Sequence, residues 1–205
     1  MRVGIIGGGT LATSLAYRFD RSGHEVVRAL PRGPEATGTP VEQPADAATV
    51  EQAVRGSEVA FLALPLNRAL QLPPNPFIGR IVADATEFYR SGPAADPDVT
   101  PPSPTSGEVL DQHLPGAAVV QLFHTVDLLT SGEPGPLGGA VPRTAIPLTS
   151  DEPSARAVVA GLISDLGFDA VDAGGLAAGR LLQARATLRG PQLGDEDVRV
   201  RIGDV

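Results

Sequence analysis

Apolar residues recur along the chain in short continuous runs separated by amphipathic stretches, and the two patterns alternate almost to the end of the sequence. Continuous apolar runs of this length are the signature of strands buried on both faces. Strands are expected at residues 2–6, 25–30, 59–64, 81–84, 118–122, 144–148 and 168–172, of which 59–64 is the clearest such run. The run at 59–64, Val-Ala-Phe-Leu-Ala-Leu stopped by Pro65, predicts the fourth strand of a parallel sheet. Helical spacing follows the first run as far as Arg21, then recurs at 45–55 before Gly56, near 108–113, and at 176–186. Ser150 predicts the cap of a further helix over 151–166, with Pro153 in its first turn. Residues 198–202 alternate Val-Arg-Val-Arg-Ile, the pattern of a partly exposed strand or ordered tail. Polar Pro/Gly-rich links occupy 31–44 and 131–142, and residues 90–107 hold five prolines, which predicts a surface excursion or lid, or plain disorder. No internal repeat is present. The βαβ order predicts an α/β fold, a Rossmann-type doubly wound and mostly parallel sheet in a single compact domain. Residues 1–186 form that domain with a small C-terminal lobe on the substrate side, and 187–205 form a tail or edge strand.

The turn after the first run carries the chemistry. Gly7, Gly9 and Ala12 stand at the spacing of a dinucleotide-binding loop, directly after a strand and at the start of a helix. Gly7 allows the sharp exit from the strand, Gly9 lets backbone N–H groups approach a pyrophosphate, and Ala12 lets the helix pack closely on the sheet. The helix tip, with its unpaired N–H donors and positive dipole end, suits an anion. The strand-turn-helix-strand unit closes at the second run after Ser22-Gly23, which is the length such a unit needs.

The end of the second run distinguishes between dinucleotides. NAD sites place an acid there for the ribose hydroxyls, whereas NADP sites omit it and supply arginine. The sequence reads Arg28-Ala29-Leu30-Pro31-Arg32, with no acid. Arg32 is the first candidate for a 2′-phosphate clamp and Arg28 the second, because the guanidinium fork matches phosphate oxygens. NADP(H) is the expected cofactor.

Composition narrows the rest. The 205 residues suffice for a full core without metal or disulfide. There is no cysteine, which excludes thiolate nucleophiles and Cys-ligated clusters and fits a reducing cytoplasm. All 16 basic residues are arginine, so Schiff-base and lysine acid/base chemistry are excluded. A net charge of −8 argues against nucleic acid and anionic membranes and for a small-molecule partner. No apolar run is long enough to span a membrane, and no charged-then-apolar leader precedes the first strand, so a soluble cytoplasmic protein is expected. No metal-ligand spacing is present.

Several segments together resemble a known family: Val3-Gly4-Ile5-Ile6-Gly7-Gly8-Gly9, Ser22-Gly23-His24-Glu25-Val26-Val27, residues 58–65, Val82-Ala83-Asp84-Ala85-Thr86, residues 119–125 and 165–174. The chain resembles the small NADPH-dependent oxidoreductases of the coenzyme F(420):NADP oxidoreductase type, and the nucleotide domains of pyrroline-5-carboxylate reductases. The resemblance implies NADPH lying across the carboxyl ends of the strands, direct hydride transfer from nicotinamide to a stacked deazaflavin cosubstrate, and a homodimer. It implies that Gly7, Gly9, Thr10 and Leu11 contact the diphosphate and Arg32 the 2′-phosphate. Leu64 and Pro65 then meet the adenosine-side ribose and the middle of the cofactor, and Thr86 and the Phe123-His124-Thr125 turn lie near the nicotinamide. The chain departs from the family at two places. Glu87 stands where the family commonly has Asn after Asp-x-Thr, and Gln121-Leu122-Phe123-His124-Thr125 where it has Lys-Ala-Phe-Asn-Thr. Both departures are expected at strand ends where the second substrate binds, and an aromatic content of 4% offers few rings to stack on a flat deazaflavin.

His124 and Glu87 are the candidate catalytic pair, an imidazole and a carboxylate at neighbouring strand ends able to pass a proton to a reduced carbonyl or imine. His24 and His113 are expected to be structural or exposed. The leading functional reading is an NADP(H)-dependent oxidoreductase, acting on a deazaflavin or a small organic carbonyl or imine in biosynthesis. The alternatives are a non-redox cyclase or isomerase that keeps NADP(H) as a scaffold, and a nucleotide-sensing protein without turnover.

Overall fold

A computed structural model describes residues 1–31, 48–86, 104–123, 143–183, 194 and 196–199. Five parallel strands form the main sheet in the order β2-β1-β3-β4-β5: β1 (Arg2–Ile6), β2 (Glu25–Ala29), β3 (Val59–Leu62), β4 (Ile81–Asp84) and β5 (Ala118–Gln121). Successive residues of these strands enter opposite cores, as the period of two requires. Val3, Ile5, Val59, Phe61, Ala83 and Val120 face one helix layer, made by α1 (Thr10–Arg21) and α5 (Pro153–Asp165). Ile6, Ala60, Leu62, Val82 and Val119 face the other, made by α2 (Val50–Arg55), a 3-10 turn (Asn75–Phe77) and α4 (Ser106–His113). Phe61 and Phe19 stack at 5.0 Å between centroids at the middle of the first layer, both fully buried. Full burial of one such side chain stabilises the fold by about 1.5–3 kcal/mol.

The 59–64 run therefore belongs to the third complete strand in chain order among the described residues, not the fourth, and the strand proper ends at Leu62. A one-residue parallel bridge, Ala29 to Ala48, extends the sheet outside β2 at the place an additional edge strand would take. The helix expected from Ala45 begins at Val50, because Thr49 closes a capping box with Gln52 there. The short α3 (Leu66–Ala69) follows Pro65 directly.

Beyond β5 a separate two-stranded parallel sheet, β6 (Ala145–Leu148) with β7 (Asp169–Asp172), flanks α5. The two sheets meet at one antiparallel bridge, where Gln121 and Thr149 exchange both backbone hydrogen bonds at 2.9 and 3.1 Å. Pro147 accounts for the break. By strand alternation its backbone faces the same side as Thr149, and its ring nitrogen has no hydrogen to continue a ladder to β5.

Three C-terminal expectations change. Ser150 does not cap α5: its hydroxyl donates to Val119 O at 2.6 Å and accepts from Glu152 N, while Glu152 occupies the cap position with no side-chain bond. The helix expected over 176–186 starts as a 3-10 turn (Leu176–Gly179) that passes into α6 (Arg180–Gln183), and residues 184–186 lie outside the described residues. Of the segment expected at 198–202 as a strand or ordered tail, Val198 and Arg199 lie in a helical turn over 196–199 and Val198 is buried with Ala145, Val171 and Leu182, while 200–202 lie outside the described residues. The expected domain boundary at 186 lies outside the described residues. No described helix is long and apolar enough to cross a membrane.

Candidate nucleotide-binding site

The carboxyl ends of the strands form a crevice at the topological switch point, between β1 and β3, where the chain leaves β1 first to one side and later to the other. A cleft of about 100 Å³ opens there, lined by Gly8, Gly9 and Leu11 on one wall and Ala63, Leu64 and Pro65 on the other. The walls are brought together at Gly7, whose N–H donates to Ala29 O at 3.0 Å while Ala63 N–H donates to Ile6 O at 2.9 Å. Gly7 has φ +150°, and a Cβ on it would collide with the Ala63 carbonyl. Only glycine fits, and buried Ala12 lies against the same spot.

Gly9 is glycine for a different reason. Its φ of −78° is open to any residue, and a Cβ there would meet no protein atom within 4 Å. The missing side chain serves no internal packing; it keeps the crevice clear above the start of α1. That helix start is uncapped. Gly9 offers no side chain to accept a bond, the first turn carries no acid, and the ladder begins only with Thr13 N–H to Gly9 O at 3.1 Å. The N–H groups of Thr10, Leu11 and Ala12 thus precede the helical ladder and point out of the helix tip. By contrast α2 and α4 both begin with complete capping boxes, Thr49 with Gln52 and Thr105 with Glu108.

Arg28 reaches across from β2 to this tip. Its Nη2 donates to Thr13 Oγ1 at 3.3 Å, and that hydroxyl donates to Gly9 O at 3.1 Å. The Arg28 Nε is buried with no hydrogen-bond partner. A guanidinium held against the positive end of a helix is an arrangement that an anion between or beside them converts from repulsive to attractive. Arg32, expected as the principal clamp, lies outside the described residues.

Further along the crevice, Ala85 N–H donates to Leu62 O at 3.2 Å, so Ala85 and Thr86 follow β4 beside Ala63 and Leu64. Thr86 is 2% exposed, its N–H donates to Asp84 Oδ1 at 3.0 Å, and its Oγ1 has no hydrogen-bond partner. Buried hydroxyls are nearly always paired; among the described residues this one and Ser57 Oγ, at the opposite end of the strands, are the buried hydroxyls without a partner. At the end of β5, Phe123 takes a left-handed backbone, φ +61°, with its ring edge-on to Phe168 at 6.4 Å. A non-glycine residue in that conformation stores roughly 1–2 kcal/mol, and such strain gathers at functional edges.

The structure therefore brings Gly7, Gly9, Thr10, Leu11, Ala12, Arg28, Leu64, Pro65 and Thr86 to one edge of the sheet. The catalytic candidates His124 and Glu87 lie outside the described residues. Of the departures from the family pattern, Gln121 ends β5 as expected, and Gln121 and Leu122 are both fully buried. His24 and His113 are structural: His24 packs edge-on against Phe19, and His113 Nε2 pairs with Leu72 O at 2.9 Å. The residues that sequence reasoning passed over are Ser106 and Thr149, which with Asp84 and Gln121 make a buried polar chain beneath Thr86.

Residues 2–86 match the family model described as NADP oxidoreductase coenzyme F420-dependent, so the resemblance read from the glycine turn and the strands after it holds over that segment. No curated protein matches the chain in sequence. Among solved structures, a hypothetical protein from Sinorhizobium meliloti is 27% identical with a TM-score of 0.71, each chain covered to 94%. A protein provisionally named an F420-dependent NADP reductase, from Arthrobacter sp. FB24, is 22% identical with a TM-score of 0.68, each chain covered to 89%. A reductive aminase from Aspergillus terreus, in complex with NADPH4, cyclohexanone and allyl amine, is 18% identical with a TM-score of 0.58; the match covers 90% of this chain and 58% of that one. These structures share the five-stranded Rossmann-like fold.

Proposed function

We propose that the chain is an NADP(H)-dependent oxidoreductase, which moves hydride between the nicotinamide and a small organic carbonyl or imine, or a deazaflavin. The observation that carries this reading is the α1 tip: uncapped, free of acid, kept clear by Gly9 and faced by the Arg28 guanidinium. The family match over residues 2–86 supports the nucleotide, and the absence of an acid after β2 supports the phosphorylated form. The residues present fit NADP(H), since Gly9 leaves the space a diphosphate needs and Thr86 offers a buried unpaired hydroxyl further along the same crevice.

In this reading the N–H groups of Thr10, Leu11 and Ala12 bind the diphosphate, and Arg32 and Arg28 hold the 2′-phosphate side. Leu64 and Pro65 exclude water from the middle of the crevice. Thr86 orients the ring end. When bound, NADPH supplies the hydride equivalent, so the protein need provide only alignment, dryness and a proton. His124 or Glu87 holds that proton for a carbonyl or imine acceptor; a deazaflavin acceptor would need less of them.

The test is a fluorescence titration with NADPH and NADH, followed by an absorbance assay of NADPH with a cyclic imine, a ketone with amine, or an oxidised deazaflavin. Arg32→Ala should weaken NADPH by about 1–3 kcal/mol and leave NADH nearly unchanged, because only the former loses a phosphate contact. Equal losses would overturn the clamp. NADPH that binds but is oxidised by none of the acceptors would overturn the redox assignment in favour of a scaffolding nucleotide.

A further inference from the structure

Directly beneath the crevice a chain of polar side chains crosses an otherwise apolar interior. Asp84 and Gln121 are register partners at the last positions of β4 and β5. The Thr149 hydroxyl donates to Gln121 Oε1 at 3.3 Å, Gln121 Nε2 donates to Ser106 Oγ at 3.0 Å, and Ser106 Oγ donates to Asp84 Oδ2 at 2.9 Å. Asp84 Oδ1 receives the Thr86 N–H. Thr149, Gln121, Ser106 and Asp84 are all 0% exposed. The site is cut to fit the amide, because a Cβ on Gly179 would overlap Gln121 Oε1.

A fully buried polar chain gains little stability over apolar packing, so its value is geometric: each link fixes the direction of the next in a low-dielectric interior. Here the links run from Thr149, just past β6, through β5 and α4 to the carboxylate that anchors the Thr86 backbone. The residue so anchored carries a hydroxyl that has no partner within the protein.

We propose that Ser106 and Gln121 are positioning residues that act through Asp84 to aim the Thr86 hydroxyl at the nicotinamide end of the bound dinucleotide. The assignment rests on the NADP(H) reading above and adds to it which interior residues set the reactive half of the cofactor. The adenosine half, held at Gly9 and the α1 tip, lies beyond the reach of this chain.

Two ligands separate the halves: NADPH, and 2′-phosphoadenosine-5′-diphosphoribose, which has the same diphosphate and 2′-phosphate but no nicotinamide. Thr86→Val should weaken NADPH about 10-fold and Ser106→Ala about 5-fold, each leaving the truncated ligand within about 2-fold of wild type. In the Thr86→Val background Ser106→Ala should have no additional effect, since the hydroxyl it aims is gone. Thr149→Val, a near-isosteric change at the far end of the chain, should reproduce a weaker form of the same selective loss and serves where Ser106→Ala fails to fold. Equal weakening of both ligands, additive effects in the double variant, or unchanged NADPH affinity in Ser106→Ala and Thr149→Val would overturn the proposal. Wild-type protein that binds neither ligand would instead overturn the nucleotide reading itself.

Discussion

The two ends of the same five strands are built on opposite principles. At the amino ends most polar groups are tied down, the buried Ser57 hydroxyl excepted. Arg2 pairs with Glu25 at 2.7 Å, its N–H donates to Glu58 at 2.8 Å, and the amino group of Met1 meets His24 Nδ1 at 3.3 Å. His24 Nε2 also approaches Asp165 Oδ2 at 3.3 Å without hydrogen-bond alignment, and Ser22 Oγ donates to Asp165 O. At the carboxyl ends the helix tip is uncapped, a buried hydroxyl is unpaired, and Phe123 is left-handed. The lesson is a division of labour: one edge secures the fold, while the other forgoes stability where a ligand completes it.

Substitutions can break this contrast or sharpen it. The largest effect is expected from Gly7→Ala, which forces a Cβ into the Ala63 carbonyl. It should cost about 3 kcal/mol or more in urea denaturation, because backbone must move. Gly9→Val, two residues on, should leave the denaturation midpoint nearly unchanged while weakening NADPH at least about 10-fold, since its side chain enters only the crevice. A large stability loss for Gly9→Val would show that this edge is packed like the other. At the amino edge, His24→Ala should lower stability by about 1–2 kcal/mol through lost packing on Phe19, with nucleotide affinity unaltered. A coupled fall in affinity would join the two edges.

The smallest effect concerns Asp111, whose carboxyl is pushed above the ordinary aspartate value of 3.8, first by burial and then by the charges of Asp151 and Glu152. The fold favours its neutral form, so the ionised form costs stability at neutral pH. Asp111→Asn should therefore stabilise at pH 7 by less than about 0.5 kcal/mol after solvent screening. That gain should build up above pH 3.8 and be absent below it. A gain independent of pH would assign the effect to packing.

How far the sequence speaks differs between the two halves of the chain. The β1-α1-β2 unit was legible because strand, glycine turn and amphipathic helix all signal locally, and Arg2–Ile6 and Thr10–Arg21 form as the pattern requires. The capping boxes at Thr49-x-x-Gln52 and Thr105-x-x-Glu108 are equally local signals and set the starts of α2 and α4. Other features depend on distant partners. Ser150 looks like a helix cap until Val119 O, far away in sequence, takes its hydroxyl proton. Val198 looks like part of an extended segment until it is buried with Ala145 of β6, Val171 of β7 and Leu182. Gln121 looks like a substrate contact because it ends a strand, but the neighbours that bury it come from α4, β6 and the turn before α6. For the site, type and position of the glycines and Arg28 could be read in advance; that Thr86 stands on a buried polar support could not.

Pro147 has a consequence that reaches past the local break. Lacking an amide hydrogen on the side that faces β5, it leaves the backbone pairing between the two sheets, among the described residues, to Gln121 with Thr149, beside which the Ser150 hydroxyl reaches Val119 O. That pair is also the joint through which the interior polar chain passes. A covalent detail of one imino acid thus leaves a narrow seam, and the polar chain crosses from one sheet to the other within it.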